Sequence, residues 1–392
     1  MEISTLSGMA GRAPTVLQVL PDLDGGGGVE RGTIDLTRAL VAGGYRALVA
    51  SNSTRLAGRI DALRGRHIRL PVHSKNPFVM VANAFRLARL IKAENVDIVH
   101  ARSRAPAWSA FYAARMARCH FITTLHGTYG TWSPFKRAYS AIMTRGERVI
   151  AISEFIGHKA IEDYRVAPER ITVIPRGVDL EAFRPGAVST ERIVNLSRRW
   201  RLEDGAPVVM LPGRLTYWKG HSVLIEAMAL LARKDVFCIM VGDDTGGKSG
   251  TDVLTARASK LGLGGRVRFV GRCEDMPAAY MLADVVVSAS TRPEAFGRVA
   301  AEAQAMGIPI VATDHGGSRE IVRPDVAGWL VSPDDPRALA DAINSALSLD
   351  DTKRATLASA ARAHVVANFS LDMMCARTLA IYKDVLESAK QG

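Results

Sequence analysis

The amino-acid sequence predicts an α/β protein made of two doubly wound, Rossmann-like domains facing one another across a cleft. Short β-branched runs alternate with longer stretches of helical periodicity, as parallel βαβ units require. The alternation starts twice, near Thr15 and again near Pro207, with a turn-rich segment between. The 392 residues suffice for two or three domains at roughly 100–200 residues each.

The first set opens with TVLQVL (15–20), a buried strand, then a glycine-rich turn and an apolar-periodic helix from about Val29 to Ala42. Strand signals recur at RALVAS (46–51), VDIVHA (96–101), HFITTLH (120–126) and RVIAIS (148–153), each beside a helix-like stretch. The turn residues of ITVIPRGVDLEAFRPG (171–186) close it. The second set reads PVVMLPG (207–213), VFCIMVG (236–242), RVRFVG (266–271), DVVVSAS (284–290) and IPIVAT (308–313). Helices follow at about 336–349, 352–368 and 371–389. The expected domains are 1–186 and 187–370, with 371–392 as a closing helix. In such sheets ligands bind beyond the carboxyl ends of the strands.

Composition narrows the class. Hydrophobic residues at 48% and charged residues at 23% exclude a disordered chain. No apolar run reaches the roughly 18–20 residues that span a bilayer. The first residues lack a charged region followed by an apolar stretch, so a secretory signal is not expected. The four cysteines stand singly, with neither metal-ligand nor disulfide spacing. A cytoplasmic protein is the expectation. The net charge of +12 is unevenly placed: residues 51–150 hold 17 basic and 4 acidic side chains. That imbalance suits a polyanionic partner, whether nucleic acid, an anionic membrane or a phosphorylated glycolipid. A merely solvated basic surface is the plainer reading.

Three motifs resemble phosphate or metal sites. The Gly25–Gly28 run fails the G-x-G-x-x-G spacing in every register, and no carboxylate ends the second strand, which argues against a dinucleotide. Gly27 and Gly28 still place bare backbone at a helix start, where an anionic or sugar ligand can approach closely. Gly242–Ser249 matches the P-loop pattern literally and would use Lys248 as its point charge. Against it, Asp243 and Asp244 would stand inside the phosphate cradle. Asp22 and Asp24 form a D-x-D pair of the kind that hard cations accept, a pattern common by chance.

The second half carries a more specific constellation. GRLTYWKG (213–220) follows a strand, so Arg214 and Lys219 leave its carboxyl end together. A forked guanidinium and an ammonium suit a diphosphate leaving group. Further on, Glu294 stands in the loop after strand 284–290, and a helix is expected near Phe296. The N–H groups of Phe296, Gly297 and Arg298 would then favour phosphate oxygens. Glu302 lies on that helix; two carboxylates so spaced suit hydroxyl recognition at separate parts of one ligand.

GRLTYWKG, the Glu294/Glu302 pair, GIPIVATDHGGSREIV and VIPRGVDLEAF together resemble retaining glycosyltransferase family 4, which has the GT-B fold. The likeness extends over nearly the whole chain, including GGGGVERGTIDLTRAL and FSLDMMCARTLAIYKDVL. It implies a metal-independent transfer from a nucleotide-diphosphate sugar, with no cofactor. Arg214 and Lys219 would bind the diphosphate, and Glu294, with backbone of Phe296 and Gly297, the sugar hydroxyls. Glu302 would hold the ribose. His126 resembles the histidine that contacts the donor sugar near its anomeric centre, and Gly27 and Gly28 would approach the phosphate or acceptor. Arg319 and Glu320 stand where the family's loop closes on the donor. The last helix would cross back to the first domain. The chain departs from the family at Arg176, where asparagine is common. This cation would meet an acidic acceptor, the leaving phosphate, or an acid such as Glu154 or Asp179.

The resemblance leans toward cell-envelope glycan acceptors, lipopolysaccharide core above all, bound by the basic first domain. Arg86, Arg89 and Lys92 share helical spacing with Phe78, Val81 and Phe85, and Arg104 and Arg176 are assigned to the same acceptor or membrane side. Trp108, Phe111 and Tyr112 with Arg115 and Arg118, then Tyr129, Trp132 and Phe135 with Lys136 and Arg137, repeat the pattern. Such faces suit an anionic leaflet, although the apolar members could equally be core. The competing classes are a P-loop NTPase and a nucleic-acid-binding protein; no nucleic-acid-binding motif accompanies the basic residues.

Overall fold

Strand Thr15–Val19 (β1) is buried along its whole length, as a central parallel strand covered on both faces must be. It pairs with Arg46–Ser51 (β2), which is flanked by Arg66–Arg69 (β3). On its other side lie Ile98–Ala101 (β4), His120–Leu125 (β5), Arg148–Ala151 (β6) and Ile171–Val173 (β7). The order β3-β2-β1-β4-β5-β6-β7, parallel throughout, reverses direction between β1 and β4. The second sheet comprises Val208–Pro212 (β8), Phe237–Val241 (β9), Val267–Phe269 (β10), Val285–Ser288 (β11), Ile310–Thr313 (β12) and Trp329–Val331 (β13). Its order, β10-β9-β8-β11-β12-β13, reverses between β8 and β11. The computed structural model describes residues 12–24, 27–53, 55–129, 133–244, 246–247, 250–324 and 326–388.

β3, β7 and β13 are sheet edges that the sequence patterns do not mark. Edge strands are short and only half covered, so they need no apolar run. RHIR of β3 is exposed at both arginines and only half-buried at His67 and Ile68.

The chain divides into two compact units: residues up to Arg176 with those from Leu371 on, and residues Gly177–Ser370. The changeover thus falls earlier than the expected residue 186. The reason is a local tie, since Val178 bridges Ser370 and its N–H donates to Phe369 at 2.8 Å. Helix Thr190–Trp200, capped by the Ser189 hydroxyl, belongs to the second unit. Its Arg192 makes a forked pair with Asp275 at 2.6 and 2.8 Å.

Helix Leu371–Ser388 completes the first unit. Ile381, Tyr382 and Val385 pack with Val16, Leu36, Leu40, Ile98 and Ile122 in one buried cluster. The Tyr382 hydroxyl meets His100 Nδ1 at 2.6 Å, and His100 Nε2 meets Thr124 Oγ1 at 2.6 Å. Among the described residues no helix is long and apolar enough to cross a membrane.

Gly220 decides how the second sheet presents its loops. Its φ is +73°, and a Cβ there would stand 1.8 Å from the carbonyl oxygen of Ala289, just past β11. Only glycine permits both this left-handed conformation and this approach. Gly220→Ala is expected to lower the urea-unfolding free energy by about 2–4 kcal/mol. A loss below about 0.5 kcal/mol would contradict a tight apposition of these loops.

Candidate functional site

In the second unit, the loops after β8 and β11 leave the sheet on either side of its reversal. They are joined by backbone and side chain. Thr291 N–H donates to Trp218 O at 2.7 Å. Lys219 Nζ donates to Glu294 Oε1 at 2.5 Å, and the Ser290 hydroxyl donates to the same oxygen at 2.5 Å. The ammonium also lies 4.5 Å from the Trp218 ring centre, a cation–π contact. Arg214 is exposed, and among the described residues its guanidinium has no hydrogen bond or ion pair. The site therefore holds one neutralised cation and one uncommitted cation.

The loop after β12 explains the DHGGS motif. Gly316, at φ +59°, pairs with Glu294 so closely that a Cβ would meet Glu294 O at 2.5 Å. At Gly317 a Cβ would meet Phe296 O at 2.6 Å, and Gly317 N–H donates to Glu294 O at 2.8 Å. His315 Nε2 donates to Ser290 O at 2.7 Å, where the Thr313 hydroxyl also donates at 2.9 Å. Glu294 is thus held by its main chain as well as by its carboxylate. Ser290, Trp218 and His315 were not singled out from the sequence. Trp218 and His315 fall within the motifs GRLTYWKG and GIPIVATDHGGSREIV, whereas the signal for Ser290 is position beyond a strand's carboxyl end.

The helix after Glu294 spans Arg298–Ala305 and opens at Gly297, which takes φ +97°. It starts later than the expected Phe296. The Phe296 side chain is buried and meets the Phe369 ring edge to face at 5.7 Å. Glu302 is buried too, and one carboxylate oxygen accepts the Tyr280 hydroxyl at 2.9 Å. Arg319 pairs with Asp314 at 2.7 Å.

The P-loop reading fails on Asp244. Its carboxylate accepts from Gly246 N at 2.6 Å and Thr251 N at 2.9 Å, occupying the helix start where a phosphate would sit. Lys248 and Ser249 lie outside the described residues. Asp22 accepts from Asn52 at 3.2 Å and Asp24 from Ser53, so the D-x-D pair is tied to the loop after β2.

In the first unit, Gly27 caps helix Gly28–Ala42, and its N–H donates to Glu30 at 3.2 Å. Gly25 and Gly26 are outside the described residues. His126 follows β5, and its Nδ1 lies 3.1 Å from Arg176 Nη2. Arg176 is buried, as is Arg102, which donates to Gln18 Oε1 at 3.1 Å. Burial lowers the Arg102 pKa. Arg104 lies 4.5 Å over the Tyr129 ring and donates to Ser140 at 3.3 Å, so it is engaged within its own unit. Arg86, Arg89 and Lys92 are exposed on helix Pro77–Ala93. Beside them Phe78 is 86%, Val81 57% and Phe85 56% exposed. These three are not core. Tyr112 and Phe135 are exposed as well, whereas Trp108 is half-buried and stacks between Tyr112 and Tyr139. Trp132 falls outside the described residues.

Two parallel, doubly wound sheets, the second with cations beyond its strand ends, are the architecture of GT-B glycosyltransferases. Residues 26–182 match the Glycosyltransferase Family 4 profile, and residues 194–364 match Glycosyl transferases group 1. D-inositol 3-phosphate glycosyltransferase 1 of Catenulispora acidiphila is 32% identical over 337 residues, 81% of this chain and 79% of that protein. A glycosyltransferase of Rickettsia africae superposes with TM-score 0.88 at 38% identity, covering 95% of this chain and 99% of that one. Anabaena HepE, solved in complex with UDP and glucose, superposes with TM-score 0.82 at 27% identity, covering 95% and 100%. The chain belongs to glycosyltransferase family 4, retaining enzymes that draw on a nucleotide-sugar donor. Membership replaces the NTPase and nucleic-acid-binding alternatives.

His221 opens the helix next to this site and supplies a pH test. Burial pushes its ring pKa down to about 4, and Lys219 adds to the shift against opposing backbone hydrogen bonds. Unfolded, the ring titrates near the usual 6.5, so unfolding takes up a proton between these values. Its contribution to stability is full above about pH 6.5 and falls by about 3 kcal/mol as pH drops to about 4. His221→Gln is expected to flatten most of that decline in urea unfolding. Equal slopes for the two proteins would refute a neutral buried ring.

Proposed function

We propose that the second unit binds the donor's diphosphate through Arg214 and Lys219, and that the protein transfers the sugar to an anionic cell-envelope glycan or glycolipid. The observation that carries this is the Lys219–Glu294 pair on the loops after β8 and β11, with Arg214 of the first of those loops exposed and, among the described residues, without an acid of its own. Breaking the bond between the anomeric carbon and the diphosphate leaves negative charge on the phosphate oxygens and an oxocarbenium-like sugar. The two cations, with the N–H groups at the start of helix Arg298–Ala305, stabilise that charge as it develops. Glu294 accepts from sugar hydroxyls, with the Phe296 and Gly297 N–H groups donating alongside, and Glu302 accepts from the ribose. His126 meets the donor sugar. The acceptor hydroxyl attacks from the leaving-group side, and its proton passes to a phosphate oxygen, so configuration is retained. Gly27 and Gly28 approach the donor phosphate or the acceptor, and the exposed basic residues of the first unit face the acceptor.

For the acceptor, lipopolysaccharide core is our first reading, supported by the basic, aromatic face of the first unit. The relative named for D-inositol 3-phosphate supports a second, a soluble phosphorylated polyol. Arg214→Ala and Lys219→Ala are each expected to depress turnover of a nucleotide sugar on the order of 10²–10³-fold. Full activity in both would overturn the site assignment. Running the assay with lipopolysaccharide core and with D-inositol 3-phosphate separates the two acceptors.

We further propose a cytoplasmic enzyme that rests peripherally on an anionic leaflet. Exposed Phe78, Val81 and Phe85 would enter the interface while Arg86, Arg89 and Lys92 meet headgroups, at about 1 kcal/mol per basic residue. Co-sedimentation with phosphatidylglycerol vesicles should be strong near 0.01 M salt, where the Debye length is about 30 Å, and weaken near 0.15 M, where it is about 8 Å. Changing the three basic residues together to Gln should remove most binding and leave nucleotide affinity intact. Equal binding to neutral vesicles would count decisively against this.

A further inference from the structure

We infer that Arg176 is a positioning residue that holds the His126 ring with its hydrogen on Nε2, and that Gly32 serves to admit the guanidinium. This rests on the proposed meeting of His126 with the donor sugar. A guanidinium donates hydrogen bonds and accepts none. With Arg176 Nη2 at 3.1 Å, His126 Nδ1 must be the acceptor. A neutral ring whose Nδ1 accepts carries its hydrogen on Nε2, which makes Nε2 a donor for a sugar oxygen.

The arrangement is built from both sides. Gly32 lies inside helix Gly28–Ala42, where glycine costs about 1 kcal/mol relative to alanine. A Cβ at Gly32 would fall 2.2 Å from Arg176 Nη1. The space beside the pair, lined also by His100, Arg102, Thr124 and Thr378, is a cavity of about 20 Å³. That admits one water and no phosphate, so Arg176 there serves the ring rather than an acceptor's anionic group.

The charges around the ring favour its neutral form. Arg176 and Arg102 line the same cavity, and His100 is itself held by Tyr382 and Thr124. Arg104 lies over Tyr129, whose hydroxyl bonds to the His126 backbone. Asp35, on helix Gly28–Ala42, acts on Arg102 as the opposing charge. A proton on Nδ1 would face the Arg176 donor directly. An asparagine in place of Arg176 could either donate or accept, and would bring no charge.

The test is nitrogen-15 NMR of histidine-labelled full-length protein, with His126→Gln to assign the ring among nine histidines. The expected spectrum shows bare Nδ1 and protonated Nε2 from about pH 8 to about pH 6. In Arg176→Met the ring should mix tautomers; Arg176→Lys should largely restore the single form. In Arg176→Met, kcat should fall about tenfold or more, deepening toward pH 6, with the donor KM changed less than about threefold. Gly32→Ala, whose Cβ would meet Arg176 Nη1 at 2.2 Å and Arg102 Nη2 at 3.2 Å, suits a helix and should reproduce both effects if Arg176→Met folds poorly. A wild-type ring protonated on Nδ1, or one unchanged by Arg176→Met and Gly32→Ala, would overturn the inference. Should the ring behave as expected while His126→Gln keeps full turnover, the proposed role of His126 falls and the tautomer assignment stands.

Discussion

The second unit's site depends on the ion pair between Lys219 and Glu294, 75 positions apart in sequence and 2.5 Å apart in space. A carboxylate in a phosphate-binding loop would repel its ligand if left alone. Here the ammonium and the Ser290 hydroxyl share one of its oxygens. Both charges are partly withdrawn from water, so removing either partner strands the other at a cost larger than the pair's net worth. The pair also requires that the loops after β8 and β11 meet, which Gly220 permits, while Gly316 and Gly317 let the loop after β12 close on Glu294 and Phe296. Backbone approach comes first, and the electrostatics follow from it.

The first unit is organised around buried polar groups of another kind. His100 is wedged between Tyr382 and Thr124 and kept neutral by burial, with Arg102 adding to the effect. Burial pushes the Tyr382 phenol above its ordinary range. This network ties β4 and β5 to the helix Leu371–Ser388, which completes the first unit's core. A polar network of this type favours one packing because each misplaced member would leave a buried group unsatisfied. It also encloses Arg102 and Arg176, two cations that a larger residue than Gly32 would displace.

Much of the fold was legible from local pattern. The strands from β1 to β12 that lie inside the sheets are mostly apolar and β-branched, with a few buried polar residues such as Gln18 and His100, because a parallel strand covered on both faces has no solvated side to show. The edge strands β3, β7 and β13 escaped notice because a strand with one open edge needs no such run. On helix Pro77–Ala93, helical spacing identified Phe78, Val81 and Phe85 as one face. Spacing alone does not say what a face meets, and the structure leaves this one open to solvent.

The sequence by itself determined the fold class, the family resemblance, and the residue types gathered beyond each strand end: Arg214, Lys219, Glu294 and His126. Motif and order suffice for these, because a βα loop must deliver its side chains to the carboxyl edge of the sheet. Only the tertiary structure decided which of them touch. Lys219 pairs with Glu294 while Arg214 stays uncommitted, Glu302 receives the Tyr280 hydroxyl, and Asp244 closes the apparent P-loop. It also decided that Arg176, an unexplained departure in the sequence, lies against His126 and Gly32. Hydrogen bonds fall off within an ångström of their best distance, and separations in sequence carry no information at that scale.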